Sequence, residues 1–335
     1  LSAANAIHWE GTAADLAAAI KEAGSMNALG RERGHSPHVV RRWVADFGIQ
    51  VVQQRKPRVD LLDLVPASEP WAGPRALLVK PSTKASDEVV VTISDIHSPF
   101  HDETAVESAL MLIREIKPDT IVINGDLPDY FGISSHNRTL ERLDSLQAEI
   151  DQANALRRAI RAAAPDAVIH ENEGNHDSRL RTFVRQQAPQ LRSLRALDPA
   201  NLNAWGELDI QPHGVAGFRI RPEFVIRHGT YIRSDAGASA RAEMKAAKIS
   251  GQSGHTHRLA EAVEHGYRVR SWSESGCLCQ LSPDYVDGPP NWDHGLLVGY
   301  FSTKTDAFLV DSVKATNGVF RYGGRRFDPL PTHPA

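Results

Sequence analysis

The sequence predicts a layered α/β domain preceded by a small three-helix domain. Short apolar runs rich in β-branched residues alternate with stretches of helical periodicity. Towards the C-terminus the pattern turns to strands, and the first 50 residues hold short amphipathic segments punctuated by Gly and Ser. The expected organisation is a helical domain over 1–54, a Pro-rich linker over 55–87 and the α/β domain over 88–335.

Thr12 to Ala23 reads as a helix with Leu16, Ala19, Ile20 and Ala23 on one face, ended by Gly24. Ser25 caps a second helix to about Arg33, closed by Gly34. Ser36 and Pro37 supply an N-cap and a first-turn proline, and Val40, Trp43, Val44 and Phe47 follow at helical spacing up to Gly48. Three short helices with a tight turn between the last two is the plan of a helix-turn-helix. His38, Arg41 and Arg42 lie on the polar side of the third. From Arg31 to Arg58 seven basic residues face two acidic ones, a local charge of +5 suited to a phosphate backbone. The segment resembles the helix-turn-helix modules found beside transposase, repressor and phage enzymes, which implies DNA as partner. A docking domain with a solvated basic face is the alternative.

Arg55 to Asp87 contains Pro57, Pro66, Pro70, Pro74 and Pro81 and reads as an extended linker, with Leu61, Leu62, Leu64 and Trp71 able to dock on a surface. Strands are expected at Glu88–Ile93, Thr120–Ile123, Ala167–Ile169 and Phe224–Ile226. Helices are expected at Glu103–Ile116, with Val106, Ala109, Leu110 and Ile113 inward, and at Thr139–Ala163, carrying Leu140, Leu143, Leu146, Ile150, Leu156 and Ile160. Ser178 to Trp205 is helical and Arg-rich, a compact cap. Tyr267–Trp272, Leu296–Phe301 and Ala307–Val313 suggest a second sheet.

The apolar runs feed polar blocks: Ser94-Asp95-Ile96-His97, Asn124-Gly125-Asp126, Gly174-Asn175-His176-Asp177, His228-Gly229, and later Gly254-His255-Thr256-His257. Two divalent cations about 3.5–4 Å apart need a bridging carboxylate, with imidazole, amide and carboxylate groups completing each shell. Every type is present. Asp95 and His97 alternate across one residue, so where the chain leaves a sheet both can turn into one pocket, and His255 and His257 repeat the device. In open α/β sheets functional groups collect beyond the carboxyl ends of strands, and Gly125, Gly174, Gly229 and Gly254 permit tight turns there. Taken singly, Asp126 could cap a helix and Asn175 could serve a turn.

The ordered pattern D-x-H, G-D, G-N-H-D, H-G and G-H-x-H, spanning Glu88 to Phe301, resembles the calcineurin-like metallophosphoesterase superfamily. The resemblance implies two facing β-sheets flanked by helices. It implies one metal on Asp95, His97, Asp126 and His257 and another on Asp126, Asn175, His228 and His255, with Asp126 the bridge. Manganese is foremost among the ions such N/O ligands accept, with Fe, Zn, Ni and Mg as alternatives. A metal-bridging hydroxide, its pKa brought from 15.7 towards about 7, would attack phosphorus in line. His176 is left as general acid, oriented by Asp177, which has a competing reading as N-cap of a helix over Ser178–Gln187.

Over the metals, Tyr130 or Phe131 can stack on a base, and Arg138, Arg179 or Arg181 can hold a phosphate. Asn291-Trp292-Asp293-His294 can border the cleft. With the basic helices, these point to a phosphodiesterase acting on nucleic acid, a nuclease. The alternatives are a small-molecule phosphodiesterase or phosphomonoesterase whose N-terminal module serves assembly, and a non-enzymatic DNA-binding regulator. The net charge of -3 over 335 residues excludes no anionic substrate. No run of 18 apolar residues and no secretory pattern appears, so a soluble, cytoplasmic protein without membrane partners is expected, with homo-oligomerisation open. Cys277 and Cys279 would point to opposite faces of a strand, which disfavours a disulfide and assigns them to core filling. A C-x-C pair alone is a weak zinc signal.

Overall fold

The structure is a computed structural model that describes residues 9–23, 26–35, 37–47, 77–79, 86–134, 145–283 and 290–329. The chain divides into two compact units between Trp71 and Ala72. In the first, α1 (Ala13–Ala23), α2 (Met26–Glu32) and α3 (Pro37–Asp46) pack around Leu16, Ile20, Leu29, Val40 and Trp43. Thr12 and Asp15 begin α1 as a reciprocal cap: Asp15 Oδ2 accepts the Thr12 N–H at 2.8 Å, and Thr12 Oγ1 accepts that of Asp15 at 3.2 Å. Because α3 stops at Asp46, Phe47 leaves the packed stripe and is 40% exposed. The caps expected at Gly24, Ser25, Ser36 and Gly48 lie outside the described residues, as does most of the expected linker.

The second unit is the expected α/β layering. One sheet rests on parallel strands β2 (Glu88–Ile93), β3 (Thr120–Ile123), β4 (Val168–Asn172) and β5 (Ile210–His213). Beyond β2 it continues antiparallel through β11 (Gly295–Phe301), β12 (Phe308–Thr316), β13 (Val319–Tyr322) and β14 (Arg325–Phe327). The other sheet runs in space as β1 (Leu77–Leu78), β6 (Phe218–Arg221), β7 (Phe224–Ile226), β8 (Ser250–Ser253), β10 (Arg270–Ser275) and β9 (Leu259–Glu264).

Alternation along the strands builds the layers. Val90 and Val122 pack with Phe218, Phe224 and Ile226 of the facing sheet. Their neighbours Val91, Ile93, Ile121 and Ile123 pack instead with α4 (Glu103–Ile116) and α5 (Leu146–Ala163). Buried on both faces, β2 and β3 therefore read as continuous apolar runs. Each fully buried Val or Ile contributes about 1.5–3 kcal/mol. On the far side, Ala240 and Met244 of α8 (Ala238–Ala247) cover Val225 and Trp272, completing two facing sheets flanked by helices.

Several boundaries differ from expectation. Leu77–Leu78, inside the expected linker, form an edge strand parallel to β6. Helix α5 starts at Leu146 because Ser145 caps it, its Oγ accepting the Ala148 N–H at 3.1 Å; Leu140 and Leu143 lie outside the described residues. Tyr267 belongs to the β9–β10 turn, so β10 begins later than expected. The Arg-rich cap consists of α6 (Arg179–Gln187), 3-10 turns and the short α7 (Pro199–Leu202). Among the described residues, no helix is long and apolar enough to cross a membrane.

Candidate metal centre

The polar blocks leave the carboxyl ends of β2, β3, β4, β7 and β8. Asp95, His97, Asp126, His255 and His257 adopt left-handed backbone, with φ of 53°, 51°, 53°, 69° and 58°. Each such residue costs of order 1–3 kcal/mol. The conformation breaks the pleat, which is how residues two apart reach one pocket.

Two ligand groups result. Asp95, His97 and His257 place their ligand atoms within 4.8 Å of one another, as do Asp126, His228 and His255. His257 Nε2 lies 3.1 Å from Asp95 Oδ1 and 3.0 Å from His97 Nε2. His228 Nε2 lies 3.2 Å from Asp126 Oδ2 and 3.1 Å from Asn175 Oδ1. Asp126 Oδ2 stands between the groups, 3.8 Å from His97 Nε2, while its Oδ1 accepts the His176 N–H at 2.8 Å. All seven residues expected as ligands are thus brought together.

Hydrogen bonds behind the cluster fix the imidazole tautomers. His97 Nδ1 donates to Asp129 Oδ2 at 2.9 Å, and His228 Nδ1 donates to the Asn124 carbonyl at 2.8 Å. Nε2 of each ring then faces inward, where a cation would take the place of its proton. Imidazole nitrogens, an amide oxygen and two buried carboxylates converge here, a set of ligand types that fits divalent cations. Burial opposes protonation of His97, yet Asp129, Asp95 and Asp126 push it up to about 10; likewise Asp126 and Asp95 raise buried His228 to about 10. Desolvation works against ionising Asp95 and Asp126, but the histidines hold both carboxyls below the usual range. Backbone closeness matters too. A Cβ on Gly174 would lie 2.1 Å from Asp126 Oδ1, and one on Gly254 would lie 2.3 Å from Asp95 Oδ2.

The expected partner of His176 is corrected. Asp177 Oδ2 accepts the backbone N–H groups of Asp126 at 2.8 Å and Gly174 at 2.7 Å. It braces two ligand loops, and Ser178, whose side chain makes no capping bond, precedes α6. The residue beside the His176 ring is Asp129, whose Oδ2 is 3.1 Å from Nδ1 and whose carbonyl is at the same distance. His97, Asp129 and His176 also converge, but as donors on one carboxylate. Asp129 went unmarked in the sequence although a carboxylate often orients a metal-binding histidine. It lies three residues after Asp126, and that spacing was the available signal.

Two further buried acids support the loops. Glu243 of α8 accepts the N–H groups of Thr230 at 2.5 Å and Tyr231 at 2.9 Å and pairs with Arg227, holding the turn after His228. Glu274 of β10 accepts Thr256 Oγ1 at 2.5 Å and the Gly237 N–H at 3.1 Å, holding the His255–His257 turn. Neither stands near a ligand in sequence, so no local signal marks them.

The expected substrate contacts fare differently. Tyr130 and Phe131 are 3% and 7% exposed, Tyr130 packed with Ile150, Leu180 and Val184 and Phe131 edge-on to Phe100. Apolar packing claims both rings, which overturns the base-stacking expectation. Arg179 is built into the site, donating to the Asp129 carbonyl at 2.8 Å and to His176 Nε2 at 3.0 Å. Arg181 pairs with Glu173. Arg138 and the side chain of His38 lie outside the described residues, while Arg41 and Arg42 are exposed on α3. The Trp292 ring packs edge-on to His257 at 4.3 Å. Cys277 and Cys279 do not point to opposite faces: their sulfurs converge with a His257 ring nitrogen within 4.8 Å. Each makes only an isolated bridge, and Gly276 turns the backbone at φ 71°, so strand alternation does not apply.

Comparison with known proteins gives a match to the Calcineurin-like phosphoesterase family over residues 89–273. The chain is 26% identical over 226 residues to the Gene 54 protein of Mycobacterium phage L5, covering 62% of this chain and 86% of that protein. It is 26% identical over 197 residues to the Gene 54 protein of Mycobacterium phage D29, covering 56% and 73%. Among solved structures it is similar to Vacuolar Protein Sorting 29 from Cryptosporidium parvum, with 12% identity, a TM-score of 0.40 and coverage of 72% and 99%. Vps29 from Chaetomium thermophilum gives 13% identity, a TM-score of 0.33 and coverage of 69% and 99%. The family match spans more than half of the chain, which therefore belongs to the calcineurin-like phosphoesterases and is a metal-dependent phosphoester hydrolase.

Proposed function

We propose that this calcineurin-like phosphoesterase is a phosphodiesterase acting on nucleic acid, with DNA as its partner and manganese as its working metal. Asp95, His97, Asp126 and His257 would hold one ion, and Asp126, Asn175, His228 and His255 the other. Bound there, two divalent cations supply Lewis-acid polarisation of the phosphate and a nucleophile at neutral pH.

The observation that carries the reading is a histidine beside the cluster but reserved from it. His176 Nε2 lies 3.9 Å from Asp126 Oδ2, and Asp129 engages its Nδ1. That bond keeps the proton on Nδ1 and would stabilise the imidazolium. Arg179 donates to Nε2. A phosphate oxygen that takes over the guanidinium frees the Nε2 lone pair to take a proton from solvent, and the imidazolium so formed can pass that proton to a departing alkoxide, the poor leaving group of a polynucleotide. Such general-acid assistance is worth about 10²–10⁴ in rate. Arg31, Arg33, Arg41 and Arg42, all exposed on the helical unit, supply the phosphate-binding charge.

A substrate panel with Mn²⁺ tests this: an aryl phosphomonoester, an aryl phosphodiester, 2′,3′-cyclic nucleotides, and single- and double-stranded DNA and RNA. Cleavage of DNA is the expected result. Robust turnover of the small diester with every polynucleotide intact would reject the nucleic-acid assignment and leave a small-molecule phosphodiesterase.

A further inference from the structure

The mechanism uses one face of His257 and leaves the other beside two thiols. Nε2 points at Asp95 and His97, whereas Nδ1 lies 3.9 Å from Cys279 Sγ. One His257 ring nitrogen, Cys277 Sγ and Cys279 Sγ are mutually within 4.8 Å. Both cysteines are free and essentially inaccessible, at 0% and 1% exposure.

The backbone holds this arrangement tightly. Cys277 N–H donates to the Asp293 carbonyl at 3.0 Å, Asp293 N–H donates to the His257 carbonyl at 2.8 Å, and Leu278 N–H donates to the Asp95 carbonyl at 3.2 Å. His294 Nε2 donates to the Cys279 carbonyl at 2.8 Å. The C-x-C segment is therefore fastened to the turns that carry the candidate ligands, and its thiols have little freedom to separate.

We propose that Cys277, Cys279 and Nδ1 of His257 form a third metal site, for a thiophilic divalent cation of the zinc and cadmium class. Thiolate and imidazole are the ligands such ions select, and tetrahedral sites of this class use two sulfurs and a nitrogen at about 2.3 and 2.0 Å from the metal. Spacings below 4.8 Å between the ligand atoms suit that geometry. The Asp293 carbonyl, 3.5 Å from Cys277 Sγ, or a water can complete the shell. Binding deprotonates both thiols, so one divalent ion enters as two protons leave. A neutral imidazole offers one lone pair. Filling the thiol site through Nδ1 puts the ring proton on Nε2 and withdraws His257 from the two-metal cluster, so a soft cation antagonises the hydrolytic metals.

Cadmium titration of the metal-free full chain tests the site directly, because thiolate-to-cadmium charge transfer absorbs in the ultraviolet whatever the enzyme hydrolyses. One equivalent should produce the band. Cys277→Ser and Cys279→Ser should each lower it by about half, and the double variant should abolish it. Zinc-edge X-ray absorption of the wild-type chain requires no variant and should show sulfur neighbours at about 2.3 Å. Cadmium or zinc bound with only nitrogen and oxygen neighbours, and no charge-transfer band, would overturn the site and leave the thiols as core filling.

Discussion

At the scale of single residues, substitutions of His176 and Asp129 test the proposed separation of chemistry from metal holding. On the proposed roles, in which its side chain gives a proton and holds no metal, His176→Ala should retain the metals and lower kcat by about 10²–10⁴. Asp129→Asn should weaken metal affinity by about 10–100-fold, as expected when a metal-binding histidine loses its carboxylate partner, and should slow turnover as well. Isothermal titration with Mn²⁺ beside steady-state kinetics distinguishes the two. Equal metal loss in both variants would place His176 among the ligands. The proposed ligand set is legible in the sequence because its residues sit in short blocks, most of them after an apolar run, although His255 and His257 follow the polar strand Ser250–Ser253. Asp129 offers only its spacing from Asp126, and Glu243 and Glu274 offer no signal, because their partners are brought to them only by the fold: Glu243 reaches from α8 to the turn after His228. Tyr130 and Phe131 misled because an aromatic ring after a ligand looks the same in sequence whether it faces a cleft or the core.

At the scale of elements, support of the ligand turns is the costly part of the design. Glu243→Ala would strand the Thr230 and Tyr231 N–H groups and the Arg227 guanidinium, costing about 3 kcal/mol in urea unfolding. An unchanged midpoint would show that the turn holds itself. Between the sheets, His170 of β4 and His213 of β5 share a hydrogen bond of 2.9 Å and lie against Phe218 of β6. Burial, with mutual repulsion adding at His170, lowers both from 6.5 to about 4. Between those values the unfolded chain binds more protons than the folded one. Stability should therefore be full above about 6.5 and fall as pH drops towards 4, by at most about 1.4 kcal/mol per pH unit for each proton. Chemical denaturation at stepped pH checks this, with His170→Phe flattening the dependence. Continuous apolar runs expose the parallel core in the sequence, but the edge strand Leu77–Leu78 gives no such signal because its two residues carry no period and sit among prolines.

At the scale of the molecule, a metal-dependent hydrolase is joined in one chain to a three-helix unit that exposes Arg41 and Arg42 on its third helix. Arg41→Glu with Arg42→Glu should weaken DNA binding, and the dependence of log affinity on log salt should become shallower by about 1 for each phosphate no longer neutralised. Hydrolysis of a small aryl diester should be unchanged in that variant. Unaltered DNA affinity would assign the basic face to assembly.

The proposed division of labour gives seven side chains to two ions and leaves His176 free for proton transfer. Metal content by mass spectrometry and aryl-diester turnover, measured together on the wild type, Asp126→Asn and His176→Ala after Mn²⁺ loading, decide whether it holds. A metal pair is expected in the wild type and in His176→Ala, with metal loss in Asp126→Asn and turnover depressed in both variants. Full turnover in His176→Ala, or retention of both ions in Asp126→Asn, would refute it.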